Sequence, residues 1–145
     1  MLVSIITVCF NSEKTIEQTI NSVINQDYKH VEYIIIDGMS KDQTLNIISK
    51  YKLQISKIIS EPDNGIYDAL NKGLRESSGD VIGLIHSDDI FAKNTVISDV
   101  VNMFTLNNTD IIWGDVVIKN IISNKIKRVY SGKNISDKSF NIGIM

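Results

Sequence analysis

The 145-residue chain has one cysteine, one proline and two histidines. A lone Cys9 excludes an internal disulfide framework and any cysteine-based zinc site. Its place in an apolar run reads as a small core residue. His30 and His86 do not make a metal-ligand pair; His30 reads as a surface residue, and His86, closing a strand, as either packed or functional. No apolar run reaches the ~18 residues of a membrane span. The first residues lack a basic segment followed by a long apolar one, so no secretory leader is expected and the cytosol is the default compartment. A net charge of −2 supplies no global field for nucleic acid. Both standard phosphate cradles, G-x-G-x-x-G and G-x-x-x-x-G-K-[ST], are missing, which argues against a Rossmann dinucleotide or a P-loop nucleotide.

What is present is ordinary for a globular domain, with 43% hydrophobic and 22% charged residues. The length suits one domain with a sizeable core. Charge is placed unevenly. From Val116 onward there are six basic residues (Lys119, Lys125, Lys127, Arg128, Lys133, Lys138) and one acid, Asp137, so the first 115 residues are net acidic. The basic tail reads either as a solvated hairpin or as a surface for an anionic partner, such as a membrane face or a phosphorylated lipid.

Short β-branched runs alternate with helical spacing. LVSIITVCF (2–10), VEYIIID (31–37), ISKIIS (55–60) and VIGLIH (81–86) read as buried strands. DIIWGDVVIKN (110–120) reads as a fifth, and KIKRVYS (125–131) alternates like a strand pairing back as a hairpin. Helices are expected where Ile16, Ile20, Val23 and Ile24 recur, and where Leu45, Ile48 and Tyr51 recur. A third carries Tyr67, Leu70 and Leu74 toward the core and ends near Ser77–Gly79, with Tyr67 alternatively leaning into a ligand site. A fourth carries Val96, Ile97, Val100, Val101 and Phe104. Asn11 or Ser12 is placed to cap the first helix, Ser40 and Gln43 have capping-box spacing before the second, and Asn94 precedes the fourth. The last ~14 residues show no clear period. This order predicts an α/β fold: a mostly parallel sheet, helices on both faces and a C-terminal hairpin.

In an open parallel sheet, ligands bind outside the carboxyl ends of the strands. Those ends carry Asn11, then Asp37, then Glu61, Asp63 and Asn64, then Asp88 and Asp89, with Asp115 near the fifth strand. Each alone reads as a turn or a solvated acid; their joint occurrence at one edge suggests a site. Gathered carboxylates repel unless a cation joins them. Oxygen ligands without cysteine favour Mg²⁺ or Mn²⁺ over zinc. With the phosphate cradles absent, the ligand expected is a diphosphate held as its metal chelate.

Four segments resemble the family 2 glycosyltransferases, with their nucleotide-binding GT-A fold: VSIITVCFN (3–11), IIIDGMSKDQT (34–44), SEPDNGIYDALNKG (60–73) and SSGDVIGLIHSDD (77–89). Any one is weak, but the four in this order are specific, and the third looks most like bacterial transferases that build capsule, exopolysaccharide or lipopolysaccharide chains. The resemblance implies a donor-binding domain over residues 1–118, with 119–145 as a hairpin and the start of a truncated acceptor region. It implies that Thr7 to Asn11 line the nucleotide pocket with Phe10 near the base, and that Asp37 bonds the base, usually uracil. Asp63, Asn64, Gly65, Asp68, Asn71 and Lys72 then border nucleotide and sugar. Asp88 and Asp89 match the metal motif for Mn²⁺ or Mg²⁺, Asp89 as the better ligand and Asp88 toward ribose or a metal-bound water, with Asp80 in support behind them.

Two departures stand out. Ser87 occupies the first place of a motif often written with a carboxylate there, and Leu70 stands where many relatives have an arginine, so one positive contact to donor phosphate is absent, which Lys72 either replaces or does not. The implied reaction is inverting transfer from a nucleotide-diphosphate sugar, of UDP type, to a saccharide or lipid-linked acceptor. The implied location is cytoplasmic, or peripheral at the inner membrane face. The carboxylate base of that reaction matches no residue here, so the chain is expected to bind donor and to transfer weakly or not at all. A catalytically inactive nucleotide-binding or assembly module is the alternative. A nucleotidyltransferase would need a Gly-rich loop that TVCFNSEK does not provide, and a receiver-like domain would not predict the SEPDNGIYDALNKG helix entry.

Overall fold

The computed structural model describes residues 1–107, 109–120, 123 and 125–132. The chain divides into two compact units, Met1–Asn102 and Met103–Met145. The unpatterned stretch from residue 133, with Lys133, Asp137 and Lys138, lies outside the described residues.

In the first unit four parallel strands, β1 (Val3–Cys9), β2 (Val31–Asp37), β3 (Lys57–Ser60) and β4 (Val81–Leu84), lie in the order β3-β2-β1-β4. All of β1 is buried, as a continuous β-branched run requires of a strand covered on both faces. Register sets Val3 beside Val31 and Cys9 beside Asp37 on one side, and Val3 beside Val81 on the other. β3 joins with Ser60 beside Asp37. Helices α1 (Ile16–Ile24), α2 (Thr44–Ser49) and α3 (Ile66–Glu76) connect the strands, and α4 (Val96–Leu106) follows β4.

Alternation along β1 and β2 divides the core in two. Val3, Ile5, Cys9, Tyr33 and Ile35 pack with Ile16, Ile20 and Val23 of α1, Ile48 of α2 and Ile97 of α4. Ile6, Val8, Ile34 and Ile36 face the other way, against Ala69 of α3 with Leu70 and Ile59. Helices therefore cover both faces, as the element order predicts.

The face of α3 differs from the expected one. Ala69 and Gly73 are its buried residues; Tyr67 is 80% exposed and Leu74 43%. Reading large apolar residues as the core stripe misses a helix that approaches its sheet through small ones. A Cβ at Gly73 would overlap Cγ2 of Ile6. Gly73→Ala is therefore expected to lower stability by roughly 1–2 kcal/mol, overpacking outweighing the better helix propensity of alanine. A denaturant melt checks it, and an unchanged or raised midpoint would contradict the close approach.

The side-chain caps expected at α1 and α2 do not form. At α1 the Ser12 carbonyl accepts the Thr15 and Ile16 N–H groups at 3.1 and 3.0 Å. Before α2 the Ser40 hydroxyl is taken by the Asp37 carboxylate, so the Ser40–Gln43 capping box is broken and Asp42 accepts the Thr44 N–H at 2.9 Å.

The amino edge of the sheet carries its own polar network. Glu32 accepts the Ser4 hydroxyl at 2.6 Å, the Ser78 N–H at 2.8 Å and the Ser78 hydroxyl at 2.9 Å. Desolvation acts to raise its pKa, but the bonds from Ser4 and Ser78 outweigh it and hold the carboxyl below the usual glutamate range. A depressed carboxylate stabilises the fold above its unfolded pKa and loses that contribution as pH falls through the folded value. Glu32→Gln is expected to lower the melting temperature at neutral pH and to flatten its decline below about pH 4.3. Parallel melting curves for both proteins across pH 2–6 would refute this. Asp80 belongs to the same edge, accepting the Leu2 N–H at 2.7 Å. It therefore sits at the opposite end of the sheet from Asp88 and Asp89, not behind them.

In the second unit β5 (Val116–Lys119) and β6 (Ile126–Tyr130) form an antiparallel hairpin, so the fifth strand pairs with β6 instead of extending the parallel sheet. Asp115 precedes β5 and accepts the Gly132 N–H at 2.8 Å. Among the described residues, no helix is long and apolar enough to cross a membrane.

Candidate functional site

The chain runs outward from β1 to β3 and then returns to β4 on the far side of β1. That reversal opens a crevice between the carboxyl ends of β1 and β4, where open α/β sheets bind their ligands. A cleft of about 450 Å³ lies there, lined by residues 11–15, Asp42, Ser87 and Asp88.

The loops after β1 and β2 are laced together beside it. The N–H groups of Asn11, Ser12 and Glu13 donate to the side chains of Ser40, Thr44 and Asp42 at 2.8, 2.7 and 3.1 Å. In return the N–H groups of Lys41 and Gln43 donate to the side chains of Asn11 and Glu13 at 2.9 and 3.0 Å. Asn11 takes part at a φ of 49°, a left-handed conformation that asparagine tolerates better than most residues. Asp42 is desolvated, which alone would raise its pKa. The bonds from the Thr44 hydroxyl and N–H and from the Glu13 N–H win, and hold it below the ordinary aspartate range.

Asp37 is fully buried. Its Oδ1 accepts from the Ser40 hydroxyl and the Cys9 thiol, and its Oδ2 from the Ser40 N–H at 3.0 Å and the Ser60 hydroxyl at 2.7 Å. Two carboxylate oxygens offer about four acceptor positions, and four donors of the protein occupy them. Burial, and then the Asp37 charge, push the Cys9 thiol far above its ordinary pKa, so it stays protonated and donates.

The turn into α3 is built from its own acids. Asp63 accepts the Gly65 N–H at 2.9 Å and Asp68 the Asn64 N–H at 3.0 Å. Gly65 has a φ of 104°, which disfavours any side chain. Asp63 lies over Gly38, where a Cβ would collide with its Oδ2. Lys72 donates to the Pro62 carbonyl at 2.6 Å and pairs with Glu61 at 3.0 Å and Asp68 at 3.7 Å. The Glu61 hydrogen bond, first of all, raises its pKa. Its charge is thus answered within the turn.

Asp88 and Asp89 follow β4. Ser87 beside them shares a hydrogen bond of 2.8 Å with Ser12 across the crevice. Loss of hydration and then the Asp88 charge raise the Asp89 pKa, against a smaller opposing effect of His86. Two adjacent, mutually repelling carboxylates are a hard oxygen donor set, and they fit a divalent cation whose other positions come from water and phosphate. Among the described residues no group of three or more His, Cys, Asp or Glu gathers to hold a metal alone.

The expected residues thus separate. Asn11 and Asp88 line the cleft, Asp89 adjoins it, and Phe10 is exposed at the end of β1 near Gly38. Asp63, Asn64, Gly65 and Asp68 form the α3 entry, with Asn71 exposed one turn on. Thr7 is buried within the sheet, its hydroxyl 3.1 Å from the Tyr33 phenol, and does not reach the cleft. Leu70 packs on the second core cluster. The sequence reading passed over Glu13, Lys14, Thr15 and Asp42. The pairing of NSE with the SKDQT segment after the next strand was the available signal, because both runs are rich in groups that bond backbone N–H.

The model of the glycosyl transferase family 2 matches residues 4–143. The chain belongs to this family. It is 38% identical over 100 residues to an uncharacterized glycosyltransferase of Mycobacterium tuberculosis, covering 68% of this chain and 38% of that protein. It is 36% identical over 117 residues to the poly(ribitol-phosphate) β-N-acetylglucosaminyltransferase TarP of Staphylococcus aureus, covering 77% and 36%. The chain therefore spans between a third and two fifths of these relatives. Among solved structures, S. aureus TarS residues 1–349 in complex with UDP-GlcNAc aligns with a TM-score of 0.71 at 27% identity, over 82% of this chain and 34% of that one. These family 2 neighbours carry the GT-A fold that the four segments implied.

Proposed function

We propose that this chain is the donor-binding part of a glycosyltransferase of cell-envelope polymer synthesis, and that the crevice between β1 and β4 receives a nucleoside-diphosphate sugar of UDP type. The observation that carries this is the cleft itself, with Asp88 on its wall and Asp89 adjacent, in a chain whose neighbours include TarS bound to UDP-GlcNAc. Asp89, with Asp88 beside it, would hold Mn²⁺ or Mg²⁺. When bound, such an ion supplies charge neutralisation of the departing diphosphate. Phe10 and Asn11 border the base, and the α3 entry from Asp63 to Asp68 directs a helix N-terminus toward the sugar diphosphate. Lys72, Thr7 and Asp37 act through the walls, since each is already engaged by the protein. Lys14, the cation among the cleft's lining residues, is the one we assign to phosphate.

Transfer to a saccharide or lipid-linked acceptor with inversion is the reaction we assign, with no residue of this chain named as its base. Binding without transfer is the second reading. Ser87 favours it, because a hydroxyl tied to Ser12 stands where a further carboxylate would strengthen the ion. Calorimetric titration of UDP and UDP-GlcNAc, with Mn²⁺ and with chelator, tests the site. Mn²⁺-dependent binding is expected. A folded chain that binds neither nucleotide would overturn the proposal, and vigorous sugar transfer by residues 1–145 would overturn the second reading.

A further inference from the structure

Helix α1 carries two buried stripes. Ile16, Ile20 and Val23 are the apolar one. The other is polar: Thr19 is 0% exposed, Gln26 3%, and Ser22 lies half-buried between them. Thr19 and Ser22, three residues apart, share one side of the helix, and Gln26 continues that line just beyond its end. A buried hydroxyl or amide is costly unless bonded, and each of these is bonded to the chain that follows Asp88.

The Thr19 hydroxyl donates to the Asp89 carbonyl at 2.8 Å. The Phe91 N–H donates to the Ser22 hydroxyl at 3.2 Å. The Gln26 amide donates to the Lys93 carbonyl at 2.8 Å, and its oxygen accepts the Ile97 N–H at 3.0 Å. The Asp27 N–H reaches the Asn94 carbonyl at 2.9 Å. On its other side, the Asp89 N–H donates to the His86 carbonyl at 3.0 Å. Asp89 is thus clamped at both its N–H and its C=O, and the segment from it to Ile97 is pinned along α1 and the two residues past its C-cap. None of these bonds touches a carboxylate.

We propose that Thr19, Ser22 and Gln26 are positioning residues for the Asp88–Asp89 pair, fixing the backbone from which Asp89 meets a divalent ion. This rests on the reading of that pair as the ion's ligands. Groups that orient a metal ligand without touching the metal commonly change affinity 10–100-fold when lost. A packing role alone would lower stability and leave the ion's affinity unchanged in the folded protein.

The test is Mn²⁺ titration of the chain in the presence of UDP, followed by the electron paramagnetic resonance of free Mn²⁺, beside UDP titration in chelator. Thr19→Val keeps the shape and removes the hydroxyl; Thr19→Ser restores it; Ser22→Ala is the milder partner. Thr19→Val is expected to weaken Mn²⁺ binding about tenfold, with UDP affinity in chelator unchanged and Thr19→Ser close to the parent. If Thr19→Val does not fold, Ser22→Ala is expected to show a smaller loss in the same direction. Parental Mn²⁺ affinity in the folded variants, with Asp89→Asn deficient, would overturn the proposal and leave the metal reading intact. Parental affinity in Asp89→Asn would overturn both.

Discussion

Asp37→Ala is expected to cost about 3 kcal/mol of stability, more than any other single change at the carboxyl edge. Four donors converge on this carboxylate, and removing it strands them in a buried place. A stranded buried donor costs about 1–3 kcal/mol. The hydroxyls of Ser40 and Ser60 can turn elsewhere, but the Ser40 N–H is fixed by the backbone. For a unit of roughly 100 residues the melting temperature should fall by on the order of 10–20 °C. Asp37→Asn is the instructive companion. Its amide would bring two further donors to a position already surrounded by donors, so it should lose nearly as much despite its equal size. Thermal melts check both. An Asp37→Asn protein as stable as the parent would mean that the carboxylate is not the acceptor that organises this edge.

The second large effect is on binding. Asp89→Ala is expected to reduce Mn²⁺-dependent UDP affinity by at least about 100-fold, because loss of a direct ligand should exceed the 10–100-fold typical of groups behind it. Affinity in chelator should hardly change. Asp88→Asn should lose less with Mn²⁺ and keep part of that loss in chelator, since Asp88 lies on the cleft wall as well as beside the ion. Calorimetry on the three proteins distinguishes the roles. Equal, metal-dependent losses in Asp88→Asn and Asp89→Ala would assign both carboxylates to the ion.

Much of the fold was legible because period and punctuation agree. VEYIIID is β2 residue for residue, and α3 begins at Ile66 directly after the Asn64-Gly65 turn. The four parallel strands follow from short β-branched runs separated by helices, and the acids at the strand ends locate the edge. What was not legible depends on partners distant in sequence. The Ser40–Gln43 spacing is that of a capping box, yet Asp37 outcompetes the helix for Ser40. Tyr67 and Leu74 look like core on a helical wheel, but Ala69 and Gly73 make the contact. Nothing in the local pattern marks Thr19 and Gln26 as inward-facing; only the path of residues 89–97 gives them buried partners. Lys72 is a plausible phosphate contact until Glu61 and Asp68 are seen to hold it.

The lacing of residues 11–13 to residues 40–44 also bears on how fast a ligand is captured. Five reciprocal bonds fix both loops in the free chain, so little ordering is left for a nucleotide to impose. A surface ready before the encounter lets association run at the ordinary rate of docking, without the delay that a rearranging loop adds. Differences in affinity among nucleotides at this edge would then appear as differences in how long each stays, not in how quickly it arrives.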